Sequence, residues 1–417
     1  MFNIRKALRR FTRSERGDTA IMFALTAIPV ILAAGAGVDY ATYAAAKTHL
    51  QASLDSAALS GAAASGKTDT ERAAIAQATF TANMSAGAAA GYTLTSDFRV
   101  DNGTFIASAK VEVPTSLMKL AGINNIEANG SAEVGLAAMK KAEIAMVLDY
   151  SGSMGDVSGT KVKYIAMREA ATKLVDDLTT ASPGKVKFGL VPFSHHVYVT
   201  LPKAYVKGAT GTGTWTGCTQ DRKYPYNLTA ATPTSNVDTK WNQPMAPDHA
   251  SDGCSGYAPR SLIVRPLTTD SAAVKAQLAA MKPYAWTHIA LGVEFGYHIL
   301  MDNLPFDQGA PKSDTETQKF MIVLTDGMQT EPAFGPGSSR NVSQGEKNLT
   351  QLCTNAKADG IRIITLAFDL DDTTTRARLK NCASDADSFF IANSDTDLSK
   401  AFEEIKTAVA SEIYLKK

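Results

Sequence analysis

The segment Ile144-Ala145-Met146-Val147-Leu148-Asp149-Tyr150-Ser151-Gly152-Ser153 is an unbroken apolar run that ends on an aspartate, with serines following at alternate positions. A run of this kind reads as a strand buried on both faces. Similar runs recur downstream at 186–193, 320–324, 362–368 and 389–391. Between them lie stretches of helical periodicity at 161–178, 271–281, 289–301, 345–358 and 398–409. Strands alternating with helices predict an α/β domain, a doubly wound and mostly parallel sheet, over residues 141–417. Open sheets of this class hold their ligands just beyond the carboxyl ends of the strands.

The chemistry-bearing residues fall at those ends. In Asp149-x-Ser151-x-Ser153 the aspartate and both hydroxyls alternate on a short extended turn, so all three oxygens can face one point, and Gly152 permits the turn to be tight. Chance supplies such a pattern in roughly one chain in ten of this length, so alone it is only suggestive. Two further loops add to it: Trp286-Thr287-His288 places a threonine at a helix start, and Thr325-Asp326-Gly327 ends another strand on an aspartate. Asp149, Ser151, Ser153, Thr287 and Asp326 form a hard-oxygen set with two carboxylates. That set suits Mg²⁺, with Mn²⁺ or Ca²⁺ as further options. Poor in strong ligands, it would leave the ion electrophilic, ready to accept an acidic oxygen from a partner. No general base stands at a suitable spacing, and neither serine lies in a G-x-S-x-G, so neither an enzyme nor a small-molecule substrate is expected.

These three loops, in this order, resemble the metal-ion-dependent adhesion site of von Willebrand factor type A domains over about residues 142–412. The resemblance implies that Ser151, Ser153 and Thr287 coordinate directly or through water, with Asp149 and Asp326 mostly behind them. Ala285 stands where that family often has glycine, two residues before the threonine.

The chain has 417 residues with 42 Lys+Arg against 41 Asp+Glu, which gives no electrostatic case for nucleic-acid binding. The balance is uneven along the chain. Residues 1–18 form a basic leader with Arg5, Lys6, Arg9, Arg10, Arg13 and Arg16, and 19–38 carry no charge. Twenty residues at about 1.5 Å each cross a bilayer core, and the basic flank predicts a cytoplasmic N-terminus. A single-pass inner-membrane anchor follows, with the main domain periplasmic or surface-facing. A cleaved secretory signal is the competing reading, with Ala33-Ala34-Gly35-Ala36 as a small-residue site, but the apolar run is longer than such signals use. Residues 39–140 read as a helical stalk to about Ala64 ended by Ser65-Gly66, a helix restarted by the capping box Thr68-x-x-Glu71, and a small α+β module. Its strands, 92–100, 104–113 and near 128–136, include a hairpin around Asp101-Asn102-Gly103. The stalk stripe of Tyr40, Tyr43, Leu50, Leu54 and Ala57 serves either partner helices or the adjacent hairpin.

Glu15-Arg16-Gly17-Asp18-Thr19-Ala20, Val38-Asp39-Tyr40 and the run 50–59 resemble the N-terminus of TadG-type proteins of the Tad/Flp pilus assembly system. Cys353 and Cys382, Phe389-Phe390 and the run 398–402 are also similar to those proteins. Pseudopilin relatives are cut after a glycine and carry Glu five residues on; here Met22 follows Gly17 at that spacing, so the leader is expected to be retained. The resemblance implies a module that assembles or anchors Tad/Flp pili, with pilus-machinery or pilin proteins and the inner membrane as partners. The alternative is a surface adhesin contacting host or matrix directly.

Four cysteines allow three connectivities. Nearness in sequence favours Cys218 with Cys254 and Cys353 with Cys382, as expected of an oxidising compartment; four unpaired buried thiols are the alternative. The insertion 200–265 reads as a functional loop or a disulfide-pinned lobe, against a surface decoration. His195-His196 reads as a solvated loop pair, and Asn227, Asn341 and Asn348 head glycosylation sequons.

Overall fold

The computed structural model describes residues 16–64, 67–136, 140–244 and 254–413, which form two units divided between Ala138 and Met139. Most of the basic leader, the stop at Ser65-Gly66 and part of the insertion lie outside the described residues.

In the first unit, helix α1 (Arg16–Ala63) is continuous through Pro29. Its most apolar window has a mean hydropathy of 2.2 and it is long enough to cross a membrane. Ile21, Phe23, Leu25, Ile28 and Val30 are all exposed. This half of the helix is apolar all round and exposed. Further along, Leu50, Leu54, Ala57 and Ala58 are buried together with Phe80, Phe105 and Val111. The stalk stripe from Tyr43 to Ala57 thus packs on its own module, while Tyr40 is exposed. Helix α2 (Asp69–Ala89) begins at the capping box: Thr68 Oγ1 accepts the Glu71 N–H, and Glu71 accepts the Thr68 N–H at 2.9 Å. Strands β1 (Thr93–Asp101), β2 (Thr104–Pro114) and β3 (Asn125–Gly135) form an antiparallel sheet in the order β1-β2-β3. Strand β2 buries every second residue, as a sheet with one covered face requires.

The second unit is an α/β fold with a mostly parallel sheet. Strands β4 (Lys141–Asp149), β5 (Val186–Phe193), β8 (Arg265–Thr268), β9 (Thr317–Thr325), β10 (Ile361–Phe368) and β11 (Phe389–Ala392) line up as β8-β5-β4-β9-β10-β11. The hairpin β6 (Val197–Pro202) and β7 (Thr214–Thr219) is antiparallel. Only β8 runs antiparallel in the main sheet, an edge its proline suits. Strand β4 lies between β5 and β9 and is buried from Ala142 to Asp149, which explains its unbroken apolar run. Helices α3 (Lys163–Ala181), α4 (Ser271–Ala280), α5 (Ile289–Leu300), α6 (Val342–Ala358), α7 (Thr373–Cys382) and α8 (Asp395–Ile413) complete it. Two core clusters hold opposite sets of β4 residues, Ile144, Met146 and Leu148 in one and Ala145 and Val147 in the other. The sheet is therefore covered on both faces.

Both expected disulfides form, Cys218–Cys254 and Cys353–Cys382. The insertion is not a decoration: Trp241 is fully buried and stacks on Phe295 of α5, and Arg222 pairs with Glu294 at 2.8 Å with both side chains 1% exposed. His195 and His196 are not solvated either. They are buried, with His195 Nδ1 2.9 Å from the Tyr257 hydroxyl. Asn227 and Asn348 are buried as well, so neither could carry a glycan in this fold.

Candidate metal centre

Strand β4 delivers Asp149 to the sheet's carboxyl edge. There its Oδ1 accepts the Ser151 N–H at 2.7 Å and its Oδ2 accepts the Thr325 hydroxyl at 2.6 Å. The adjacent strand β9 thus fixes the first carboxylate through the residue just before Asp326. The Ser151 and Ser153 hydroxyls lie 3.2 Å apart, and Ser153 donates to Asp326 Oδ1 at 2.7 Å. Four of the five expected residues form one hydrogen-bonded chain, Asp149 to the Ser151 amide, then the Ser151 and Ser153 hydroxyls, then Asp326.

Thr287 joins from across Gly327. A Cβ built on Gly327 would stand 3.4 Å from Thr287 Oγ1 and 3.8 Å from Ser153 Oγ, ordinary contact distances that set both hydroxyls beside this glycine. The threonine's backbone is braced on both sides. Its N–H donates to Thr330 Oγ1 at 2.9 Å, and its carbonyl accepts the Thr330 hydroxyl at 3.0 Å and the Thr330 N–H at 2.9 Å. Just beyond, His288 Nδ1 caps α5 by accepting the Leu291 N–H at 3.0 Å. Ala285 adopts φ +63°, the left-handed region that favours glycine, and its carbonyl accepts the Gly152 N–H at 2.7 Å. The loop keeps the bond that ties it to the serine turn despite carrying alanine.

Sequence reasoning missed Lys163. Its ammonium lies 3.1 Å from Asp326 Oδ2 and 3.3 Å from Asp369, and its side chain is 9% exposed. It stands in the first turn of α3, where the helix dipole disfavours a cation, and that placement was the available signal. Burial lowers the lysine's affinity for its proton, but the Asp326 and Asp369 carboxylates outweigh that and raise it. Burial pushes both site carboxyls above the ordinary carboxylate range. The charge of Asp326 adds to the push on Asp149, while Ser153 and Lys163 moderate it at Asp326.

Among the described residues no group of three or more His, Cys, Asp or Glu side chains is placed to hold a metal. The arrangement at Asp149 is of another kind, two carboxylates completed by neutral hydroxyls. Lys163 pairs with Asp326 and with the partly exposed Asp369, Asp149 is held by a hydroxyl and an amide, and the remaining donors are all oxygen. This donor set fits a hard divalent cation. Two apolar side chains are exposed in the same loops, Trp286 at 45% next to Thr287 and Met328 at 51% two residues after Asp326.

Residues 254–404 match the family model of the von Willebrand factor type A domain, and residues 17–64 match that of the putative Flp pilus-assembly TadE/G-like family. The chain thus carries a TadE/G-like segment and a von Willebrand factor A domain. No curated protein matches the chain. Similar solved structures include the vWF domain of the type V pili tip protein Mfa5 from Porphyromonas gingivalis, at 14% identity and TM-score 0.42, covering 67% of this chain and 99% of that one. The pilus adhesin SpaC from Lactobacillus rhamnosus GG matches at 16% identity and TM-score 0.39, over 77% of this chain and 35% of its own. Proximal thread matrix protein 1 of the mussel byssus, solved with a zinc-occupied MIDAS motif, matches at 17% identity and TM-score 0.36, over 66% and 46%. The present chain therefore spans about a third to a half of the length of these last two.

Proposed function

We propose that this chain is a membrane-anchored, extracytoplasmic adhesion-type module that assembles or anchors Tad/Flp pili by gripping an acidic group of a pilus-machinery or pilin partner through a divalent cation, Mg²⁺ first. The observation that carries the reading is the hydrogen-bonded chain from Asp149 through Ser151 and Ser153 to Asp326, with Thr287 facing it across Gly327. The TadE/G-like match on the anchor-bearing segment supports the pilus context.

In this reading Ser151, Ser153 and Thr287 are the direct donors, and Asp149 and Asp326 hold them and supply charge. Bound there, the cation offers an electrophilic position to a partner carboxylate. Thr325 and the Ser151 amide hold Asp149 in its orientation, and the Thr330 brace fixes the Thr287 backbone, so the donor set is organised before the partner arrives. Trp286 and Met328 suit a partner acid flanked by apolar side chains. The apolar N-terminal helix suits an inner-membrane anchor with the domain in the periplasm or facing the surface.

The test is a deletion strain complemented with wild type, Asp149→Asn or Asp326→Asn and imaged for pili, alongside Mg²⁺ titration of each purified protein by calorimetry. Loss of Mg²⁺ binding and of piliation with the fold intact is expected. Normal piliation in the deletion strain would end the assembly reading and leave the surface-adhesin alternative, and full rescue by both variants would end the metal mechanism.

A further inference from the structure

We propose that the loop of residues 117–123 is a lipid-contacting collar, a second membrane-binding element that dips into the interface beside α1. The proposal rests on the reading of α1 as a membrane span.

The loop packs against α1 inside the apolar run rather than beyond it. A Cβ at Gly35 would stand 2.5 Å from Leu117 Cβ, so the helix carries glycine where Leu117 lies against it. Four residues on, Asp39 is only 5% exposed. Its carboxylate accepts the N–H groups of Ser116 at 2.9 Å, Leu117 at 2.9 Å and Met118 at 2.7 Å. An aspartate closing an apolar run usually marks the water boundary. Here its charge is met by three amides, so it needs little water and the boundary can lie beyond it. Four residues of helix place Gly35, and the Leu117 side chain against it, about 6 Å on the membrane side of Asp39, within the depth of about 5–10 Å reached by interfacial elements.

Much of the loop's backbone is paired within itself. Leu120 N–H bonds to the Leu117 carbonyl at 3.1 Å, Gly122 to Lys119 at 3.0 Å, Ile123 to Met118 at 3.1 Å, and Thr115 to Asn124 at 2.9 Å. Such internal pairing is what a segment needs where water is scarce. Its apolar side chains face outward instead: Leu120 is 75% exposed and Ile123 43%. Lys119, next to Leu120, can snorkel toward headgroups. Tyr40, 66% exposed and 6.0 Å from Tyr43 between ring centroids, gives the same level of the helix the aromatic character of a membrane interface. Bilayer lipid is the occupant that continues the surface of α1 without a break.

Among the described residues no cysteine is free, so one introduced thiol is a unique labelling site. The full chain carrying Leu120→Cys, Leu25→Cys or Asn102→Cys is labelled with the environment-sensitive fluorophore NBD. It is then placed in phosphatidylethanolamine–phosphatidylglycerol vesicles with and without lipid-borne nitroxide quencher. Asn102 sits in the β1–β2 turn at the module's far end, since Phe105 packs at Gly61 of α1, about 33 Å along the helix from Asp39. The labels at 25 and 120 should emit blue-shifted and lose at least half their intensity to the quencher, while that at 102 should be unaffected. A quenched label at 25 with an unquenched one at 120 overturns the collar and leaves the anchor standing. That holds even if the 120 label is blue-shifted, which would mean a protein partner or a second copy covers it. An unquenched label at 25 overturns the anchor reading and the collar with it.

Discussion

Replacing Lys163 by methionine keeps the side chain's length and removes its charge, which isolates the ammonium's role beside Asp326. At 3.1 Å the pair attracts by about 5 kcal/mol at an effective dielectric of 20. Part of that offsets the desolvation of the lysine. In the variant Asp326, whose side chain is 0% exposed, keeps only the Ser153 hydroxyl while Asp149 stays close by. Removing one partner of a buried pair costs about 3–5 kcal/mol, and the surviving hydroxyl bond places this case near 3. For a domain of this size that lowers the melting midpoint by about 6–12 °C. The assay is thermal unfolding of the purified chain in detergent, with EDTA or with 10 mM Mg²⁺. Because the carboxylate released by the lysine is the one bonded to Ser153, the variant should gain more from Mg²⁺ than wild type does. A dissociation constant near 1 mM gives about 1.4 kcal/mol, or roughly 3–6 °C. An unchanged midpoint in EDTA would refute the buried pair, and equal Mg²⁺ shifts in both proteins would refute a carboxylate shared between lysine and cation.

Other perturbations test the surrounding structure. Ala285→Gly relieves a left-handed alanine and should stabilise the domain by about 1 kcal/mol, read as a higher urea midpoint with unchanged slope. Arg222→Met strips the fully buried Glu294 of its cation and the Ala231 carbonyl of a donor at 3.0 Å, and should cost about 3–5 kcal/mol in urea unfolding. Adding Glu294→Leu should recover part of that loss. His298 is buried and, with the Arg222 charge nearby, titrates well below its ordinary value of about 6.5. Below that pH the unfolded chain takes up a proton the folded one refuses, so the neutral imidazole's contribution is present above pH 6.5 and lost on acidification. Between pH 6 and 4 wild type should lose about 1.4 kcal/mol per pH unit relative to His298→Gln, and parallel stability profiles would contradict the assignment.

Much of the fold is legible because sheet burial writes itself into composition. The strands β4, β5, β9 and β10 are nearly continuous apolar runs, and each is buried almost end to end. The edge strand β8 is not legible: Arg265-Pro266-Leu267-Thr268 is short, carries a charge and a proline, and pairs irregularly with β5. The insertion is legible as a lobe through its cysteines but not as core. What places it there is a charged residue, Arg222, whose partner lies 72 positions away on a helix buried along its whole length. His195-His196 misleads for the same reason, since Tyr257, which orders the first of them, is 62 positions distant.

The candidate site shows where local reading stops. Asp149, Ser151, Ser153, Thr287 and Asp326 are legible because each ends a strand or opens a helix, and strand ends converge in any sheet of this class. Lys163 belongs to none of those loops. It reaches Asp326 only because α3 starts beside the carboxyl edge of β9, and it remains there against the helix dipole because two carboxylates, Asp326 and Asp369, hold it. The motif identifies which oxygens meet. The balance of charge among them, and hence how strongly a cation is drawn in, depends on a residue that only the tertiary fold brings to the site. A chain with the same five oxygens and an uncharged residue at position 163 should therefore bind Mg²⁺ more tightly and fold less stably without it.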